Sequence, residues 1–385
     1  MFLTIITFIL VLSVLVFAHE LGHFWTAKRF GVKAEEFGFG FPPRAFGVYK
    51  SNEGRWKFVW GANDVDDASD TVYSVNWLPL GGFVKIKGEN GESEEMDSFA
   101  IKKIWQRFII LSAGVFMNVV LAAFLFSFGF MIGMPQSLDG ASNKAIVRDQ
   151  KIQIIQVMPN SPASLAGIKI GDVILEINKN KFINEKELQD FVGSNIGKKL
   201  EYRLRRGDEE VVLMVTPAYI KEIDRGGIGV GINETGIVKY PWYLAILEGI
   251  KSTIILLWLI IVAFYELLKN LILGNEVGAD LAGPVGIASL TGQAARMGFA
   301  YVLQLAAMLS INLAVINFFP FPGLDGGRIL FLIIEKVKGA PVKREVEALV
   351  HNIGMMLLML LVLIVTFSDI SKFSTGFKHL IEKIF

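Results

Sequence analysis

The chain contains no cysteine and only four histidines among its 385 residues. The lack of cysteine excludes disulfide bonds, thiolate metal ligands and thiol nucleophiles, so a catalytic or metal-binding group must be an imidazole, a carboxylate or a hydroxyl. The formal net charge is only +1 and no long basic tract occurs, which argues against a nucleic-acid-binding surface. We therefore expect no nucleic acid among the partners, and expect lipid and other proteins instead.

Hydrophobic residues, by contrast, are abundant. They make up 52% of the chain, and the mean hydropathy of +0.48 is too high for an ordinary soluble domain of this size. No Lys or Arg precedes the first apolar run and no small-residue cleavage site follows it, so we interpret it as a retained span rather than a signal peptide. Five apolar stretches are near the length of a bilayer crossing: residues 2–18, 108–134, 252–268, 299–321 and 353–367.

Basic residues indicate the sidedness of these stretches. They cluster in residues 28–44, 102–107 and 336–344, which the positive-inside tendency places in the cytoplasm. The first and fourth stretches then run inward, the second and fifth run outward, and residues 135–240 lie outside the cytoplasm. One more crossing at 252–268 would reverse every later segment, so we expect that stretch to lie in the membrane interface or to re-enter the membrane.

The polar block 145–235 has the pattern of a small α+β domain. Strand-like alternation in "KIQIIQV", "EYRLRR" and "EEVVLMV" surrounds the helical pattern "NEKELQDFVG". The segment "SPASLAGIKIGDVILEINKNKF" resembles the core of a bacterial PDZ domain, and "GGIGVGI" at 226–232 is typical of a glycine-containing closing segment. The alternative is a structural ectodomain without a ligand.

The strongest chemical signal is "HELGH" at the end of the first apolar stretch. His19 and His23 are four residues apart, so on a helix both imidazoles face the same way and can bind one metal ion. Zinc suits neutral imidazole and activates a bound water for hydrolysis, and Glu20 can act as the general base for that water. The alternative is that the two histidines only cap the interfacial end of a helix.

A hydrolytic zinc site needs a third protein ligand. The candidates are His351, His379 and a carboxylate at the same membrane depth. Asp325, in "NFFPFPGLDGGRILF", follows an inward apolar stretch as His19 does, so two parallel helices can bring both to similar depth. A plain cytoplasmic turn is the alternative for Asp325, although the prolines before it predict a broken helix, which lipid tolerates only next to protein or a cavity.

Taken together, these motifs resemble the bacterial site-2 proteases, which are zinc intramembrane proteases that cleave anti-sigma factors and remnant signal peptides. The resemblance rests on "HELGH", "PLGGFVKIKGE" at 79–89, "SAGVFMNVVLA" at 112–122, the PDZ-like block and "NLAVINFFPFPGLDGGRI". It implies zinc ligands at His19, His23 and Asp325 and a catalytic glutamate at Glu20. A well-known relative has two tandem PDZ domains, whereas the block here accommodates only one.

The resemblance also implies residues that bind the substrate. A helical substrate must be extended before its carbonyl can be attacked, because helical carbonyls are hydrogen-bonded internally. Residues 75–88 resemble a re-entrant β-hairpin of the family, with two short strands around Gly81, Gly82 and Phe83, whose open edge can pair with the substrate. An ordinary cytoplasmic hairpin is the alternative. The amides of Asn312 and Asn317 match family positions, and the second resembles a residue that holds the substrate backbone.

The sequence thus predicts a polytopic α-helical membrane protein with a membrane-associated β-hairpin and an inserted α+β PDZ-like domain. The expected function is zinc-dependent cleavage of single-span membrane proteins in the bacterial cytoplasmic membrane, with the active site toward the cytoplasm and the PDZ-like domain outside. The alternative is a non-proteolytic scaffold with a structural zinc. Four regions are predicted: a first catalytic half at 1–134, the PDZ-like domain at 145–235, a connecting region at 240–298 and a second catalytic half at 299–385.

Overall fold

The structure is a computed structural model that describes residues 2–63, 65–89, 95–139, 142, 144–207, 209–220, 225–274 and 283–382. The helices are α1 Phe2–Arg29, α2 Ile104–Ile132, α3 Pro162–Leu165, α4 Glu185–Gly193, α5 Trp242–Leu273, α6 Pro284–Met297, α7 Phe299–Phe318, α8 Asp325–Lys338 and α9 Arg344–Glu382. The strands are β1 Ala34–Lys50, β2 Trp56–Trp60, β3 Val72–Ile86, β4 Met134–Ser137, β5 Ile146–Val157, β6 Val173–Ile177, β7 Leu200–Arg206, β8 Glu209–Val215, β9 Ala218–Ile220, β10 Arg225–Gly227 and β11 Val230–Lys239.

Two compact units make up the chain. The first comprises residues 1–127 and 246–385, and the second comprises residues 128–245. Five helices are long and apolar enough to cross a membrane: α1, α2, α5, α7 and the Arg344–Ser371 part of α9. Helices suit this environment because they satisfy their own backbone hydrogen bonds where lipid offers no partners. The prediction of a polytopic α-helical membrane protein is confirmed at this level.

Residues 252–268, expected to lie in the membrane interface or to re-enter the membrane, belong to helix α5. This stretch lies inside one continuous helix of 32 residues, about 48 Å long at 1.5 Å per residue. A re-entrant segment would need a break, and the described helix has none, so re-entry is wrong for this stretch. The helix has the length and composition of a span, and its placement in the membrane interface stays a prediction.

The region predicted as a re-entrant hairpin is paired differently. Residues 72–86 form the single strand β3, in a three-stranded sheet with the order β2-β1-β3. Its two ends do not pair with each other: Phe37 of β1 pairs with Val84 and also with Tyr73, so the first part of β1 lies between two parts of β3. The predicted pairing is wrong because a local pattern of apolar residues and glycines cannot reveal a distant strand that inserts between the two arms.

Small residues allow close packing in the first unit. A Cβ at Gly22 of α1 would lie 2.3 Å from the carbonyl oxygen of Ala113, and a Cβ at Gly249 would lie 2.2 Å from Ser127 Oγ. Helices in lipid associate through such close backbone approaches. Near the end of α1 a buried apolar cluster joins α1, α2, α8 and residues around β3: Ala27, Val32, Ile86, Phe99, Ile110, Leu111, Ile329 and Leu332.

The second unit contains a six-stranded sheet with the order β4-β11-β5-β6-β7-β8 and the two short helices α3 and α4. Ser161 and Asn184 cap the two helices with side-chain oxygens that accept backbone N–H groups. The core contains buried aliphatic residues and the fully buried ring of Tyr202. Residues 145–235, predicted to be α+β, hold most of these strands and both helices.

Candidate metal centre

Helix α1 brings the two imidazoles of "HELGH" together. His19 and His23 are each only 6% exposed, and their Nε2 atoms lie 3.1 Å apart. The spacing of four residues produces this contact, because side chains at i and i+4 lie one above the other on the same helix face. The helix continues through both residues to Arg29, so neither histidine caps a helix end.

The carboxylate of Asp325 completes the cluster from a distant part of the chain. Its Oδ2 atom lies 2.9 Å from Nε2 of His19 and 3.4 Å from Nε2 of His23. Tetrahedral zinc with bonds near 2.05 Å separates neighbouring ligand atoms by about 3.3 Å. The three atoms are therefore spaced as ligands of one zinc ion would be. Among the described residues, these three form the one group of this kind that could hold a metal ion.

The second nitrogen of each imidazole also has a partner. His23 Nδ1 lies 2.8 Å from the carbonyl oxygen of Ile110, which can only accept a hydrogen bond, so Nδ1 carries the proton and Nε2 presents its lone pair to the centre. His19 Nδ1 lies 3.2 Å from the amide of the fully buried Asn118. The main-chain carbonyl of Asn118 accepts a hydrogen bond from Ser310 on α7. Outer partners of this kind orient metal-binding histidines.

Helix α2 reaches the histidines because Gly114 has no side chain. A Cβ at Gly114 would lie 2.3 Å from Nε2 of His23 and 2.8 Å from Nε2 of His19. The segment "SAGVFMNVVLA" contributes to the family resemblance, which implies no role for Gly114 or Asn118. The feature of the sequence that points to them is their spacing: a glycine and an asparagine four residues apart in an apolar helix lie on one face.

The turn before Asp325 is shaped by glycines. Gly323 has a φ of +98°, which favours a residue without Cβ. A Cβ at Gly326 would lie 2.1 Å from the carbonyl oxygen of Phe319, and one at Gly327 would lie 2.4 Å from that of Phe321. The "DGG" sequence therefore lets the first turn of α8 fold tightly against the end of α7. Asp325 is the first residue of α8, and not part of a solvated turn.

Glu20 lies beside strand β3. A Cβ at Gly82 would lie 3.4 Å from Cγ of Glu20, and a Cβ at Gly81 would lie 2.5 Å from Cβ of Val16. Ser13 fixes this approach, because its hydroxyl donates to the carbonyl of Pro79 at 2.9 Å and accepts from the N–H of Gly81 at 3.3 Å. The strand backbone at 81–82 is thus held against α1 next to the glutamate.

The other residues predicted for the site lie on β3, α7 and α9. Phe83 is half-buried in β3, and Asn312 and Asn317 are half-buried on α7. His351 does not join the cluster; its Nδ1 accepts a hydrogen bond from the N–H of Gly323 at 2.9 Å. The side chain of His379 lies outside the described residues.

Known proteins that are similar to this chain identify its family. The sequence profile of peptidase family M50 matches residues 7–60 and 64–361. The chain belongs to peptidase family M50. A candidate zinc metalloprotease of Clostridium perfringens is 34% identical over 95% of this chain and 98% of its own length. The regulator of sigma-W protease RasP of Bacillus subtilis is 30% identical over 96% and 98%, and the zinc metalloprotease RasP of Geobacillus kaustophilus is 31% identical over the same shares.

Membership in the M50 family confirms the predicted resemblance to site-2 proteases. The protein is a zinc metalloendopeptidase of a membrane, and its metal is zinc. The two imidazoles and one carboxylate of the cluster fit this metal, because nitrogen and oxygen donors in a set of three leave one position open on tetrahedral zinc.

Solved PDZ domains match part of the chain. The PDZ domain of an SdrC-like protein of Listeria monocytogenes covers 21% of this chain and 85% of its own, with 24% identity and a TM-score of 0.20. The corresponding domain from Listeria innocua covers 21% and 92%, with 25% identity and a TM-score of 0.20.

Proposed function

We propose that this M50 peptidase is an intramembrane endopeptidase that cleaves the transmembrane segments of single-span membrane proteins. One observation carries the proposal. Three metal-ligand atoms from two distant parts of the sequence lie within 3.4 Å of one another, and two of them belong to a helix apolar enough to cross a membrane. A buried site of this kind on a spanning helix serves a substrate that is itself within the lipid phase.

In this proposal His19, His23 and Asp325 hold zinc, which when bound supplies Lewis-acid activation of the attacking water. Glu20 takes a proton from that water and later gives it to the leaving amine. The carbonyl of Ile110 and the amide of Asn118 keep the two rings oriented, so each Nε2 atom stays directed at the centre. The tight first turn of α8 keeps the carboxylate of Asp325 at the same place.

The substrate binds in an extended form beside β3. The backbone at Gly81–Phe83 lies next to Glu20, and a strand edge can pair with an extended segment through main-chain hydrogen bonds. Such pairing replaces the internal hydrogen bonds of a helical substrate, which exposes the scissile carbonyl. Asn312 and Asn317, near the end of α7, supply amides that bind the substrate backbone close to the cut.

The substrate class is part of the proposal, and the name of one relative supports it. A protein named for regulation of sigma-W is similar over most of this chain, which supports anti-sigma factors as substrates. Remnant signal peptides are the second class of substrate in this proposal. The enzyme resides in the bacterial cytoplasmic membrane with its active site toward the cytoplasm. The PDZ-like unit lies outside and restricts access, so that proteins with a shortened external domain enter.

The proposal is tested with a single-span reporter co-expressed with wild type, Glu20→Gln or the matched control Glu53→Gln, whose glutamate is exposed in a turn. We expect Glu20→Gln to abolish detectable cleavage while purified protein retains zinc, because glutamine fills the same space but cannot accept the proton. Glu53→Gln should cleave as wild type does. Cleavage at the wild-type rate by Glu20→Gln would show that the base is another residue.

A further inference from the structure

The loop that joins α7 to α8 carries Asp325 into the cluster, and its own hydrogen bonds join residues only two or three positions apart. The N–H of Phe321 is bonded to the carbonyl of Phe319, and that of Leu324 to the carbonyl of Phe321. Pro320 and Pro322 have no N–H to donate. These hydrogen bonds lie within the loop, and they do not connect the loop to a neighbouring helix or strand.

Gly323 provides the attachment. Its N–H donates to Nδ1 of His351 on α9 at 2.9 Å. An imidazole nitrogen accepts a hydrogen bond only when it carries no proton, so His351 is neutral here with its proton on Nε2. The bond therefore depends on the imidazole as an acceptor, and not only on the space it fills.

Packing on both sides limits the movement of this histidine. A Cβ at Gly354, one turn further along α9, would lie 2.1 Å from the carbonyl oxygen of Pro322, so the two backbones are in direct contact. The ring of Phe331 on α8 lies 5.5 Å from the ring of His351. His351 thus contacts the loop before Asp325 and the helix after it.

The other ring nitrogen of His351 does not explain why an imidazole stands at this position. Nε2 of His351 is buried and has no hydrogen-bond partner in the described part of the chain. A buried donor without a hydrogen-bond partner is unfavourable. A ring of similar size without nitrogen would remove this unpaired donor, but it would leave the N–H of Gly323 without its acceptor. The hydrogen bond to Gly323 is therefore what the imidazole supplies here.

We infer that His351 is a positioning residue of the metal centre, which holds Gly323 and thereby keeps the carboxylate of Asp325 aligned with the two histidines. The inference rests on the proposed ligand set. It replaces the idea that His351 could itself be the third ligand, because its accepting nitrogen is bonded to the loop. Loss of this bond should loosen Asp325 and weaken zinc binding without removing any ligand.

The test compares two substitutions in the full-length purified protein. His351→Phe keeps a ring for Phe331 but removes the acceptor, whereas His351→Asn places an amide oxygen near the position of Nδ1. Zinc affinity is measured by competition with a chelator, with Asp325→Ala as the reference for loss of a ligand. We expect His351→Phe to bind zinc about 10–100-fold more weakly, the usual effect of losing an outer partner. His351→Asn should recover most of the affinity.

The outcomes separate the inference from the proposed function. Wild-type affinity in His351→Phe, or an equal loss in both His351 variants, would overturn the positioning role. Wild-type affinity in Asp325→Ala would instead overturn the ligand set. The absorption spectrum of bound cobalt adds a second readout, because a displaced carboxylate alters the coordination, which a general loss of stability would not do.

A measurement on metal-free wild-type protein covers the case in which His351→Phe does not fold. Amide hydrogen exchange of Gly323 reports directly on the bond to His351. We expect this amide to exchange slowly, and to exchange faster in His351→Phe than in His351→Asn where both fold. Rapid exchange of Gly323 in the wild type would overturn the inference by itself.

Discussion

The lack of a side chain at Gly114 lets α2 come close to the two histidines of the proposed metal centre. At Gly114 the space for a methyl group is already taken by Nε2 of His23, 2.3 Å away. A methyl group at Gly114 would therefore force α2 to shift or the imidazole of His23 to rotate. Either movement displaces Nε2 of His23 by a large fraction of a zinc–nitrogen bond length.

We therefore predict that Gly114→Ala lowers zinc affinity at least about tenfold, the scale at which disturbed ligand orientation acts. The matched control is Gly193→Ala, where the nearest atom to an added Cβ is 3.9 Å away, so zinc affinity should not change. Chelator competition on the purified variants measures both. Full zinc affinity in Gly114→Ala would mean that the close approach of α2 is not needed.

The second unit contains an ion pair between Asp172 and Arg206 in which the carboxylate is buried. The carboxylate of Asp172 is 1% exposed and accepts from Nε of Arg206 at 2.8 Å and from the N–H of Lys169 at 2.9 Å. Burial alone would raise the pKa of this carboxyl, but the hydrogen bonds outweigh it and hold the pKa below the ordinary value of 3.8. Because the pKa of Asp172 is lower in the folded than in the unfolded state, the ionised carboxylate stabilises the unit at pH values above 3.8. This stabilisation is lost as the pH falls through the folded-state pKa.

We predict that Asp172→Asn destabilises the second unit by about 1–3 kcal/mol at neutral pH, since Arg206 loses a charged acceptor. The difference from wild type should shrink as the pH falls below about 4, where the wild-type carboxyl also takes up a proton. The stability of this unit is measured as the susceptibility of residues 128–245 to proteolysis at increasing urea concentrations.

The control for this prediction is Glu176→Gln, because Glu176 pairs with the partly exposed Arg203 at 3.4 Å, a kind of pair that contributes little. A large loss of stability in the control, or a difference between Asp172→Asn and wild type that does not change with pH, would contradict the account of this pair.

Helix patterns were predictable where the information is local. The spacing of His19 and His23 specifies a shared helix face, and the shared inward direction of the first and fourth apolar stretches predicts a similar depth for His19 and Asp325. The pairing of β3 with β1 was not predictable, because it depends on contact between segments about forty residues apart. For Gly114 the sequence offers only its spacing from Asn118 on one helix face, because the contact with the histidines arises when α2 packs against α1. For His351 the sequence suggests a metal ligand, because its bond to Gly323 arises only when α9 packs against the loop before α8.

The placement of the chain in a membrane gives a further prediction, which the lack of cysteine makes simple to test. A single cysteine at Lys181, exposed in the second unit, should react with a membrane-impermeant maleimide in intact cells. A single cysteine at Lys343, exposed between α8 and α9, should react only after the membrane is opened. The opposite pattern of labelling would reverse the proposed sidedness, and equal labelling of both in intact cells would place both positions outside.

The central claim is that His19, His23 and Asp325 bind one zinc ion and leave a position free for solvent. Zinc-edge X-ray absorption of the purified full-length protein tests it most directly. The account predicts a four-coordinate zinc with two imidazole nitrogens and oxygen donors at about 2.0–2.2 Å, and the loss of this spectrum in Asp325→Ala. A zinc with three or more imidazoles, or an unchanged spectrum in Asp325→Ala, would contradict it.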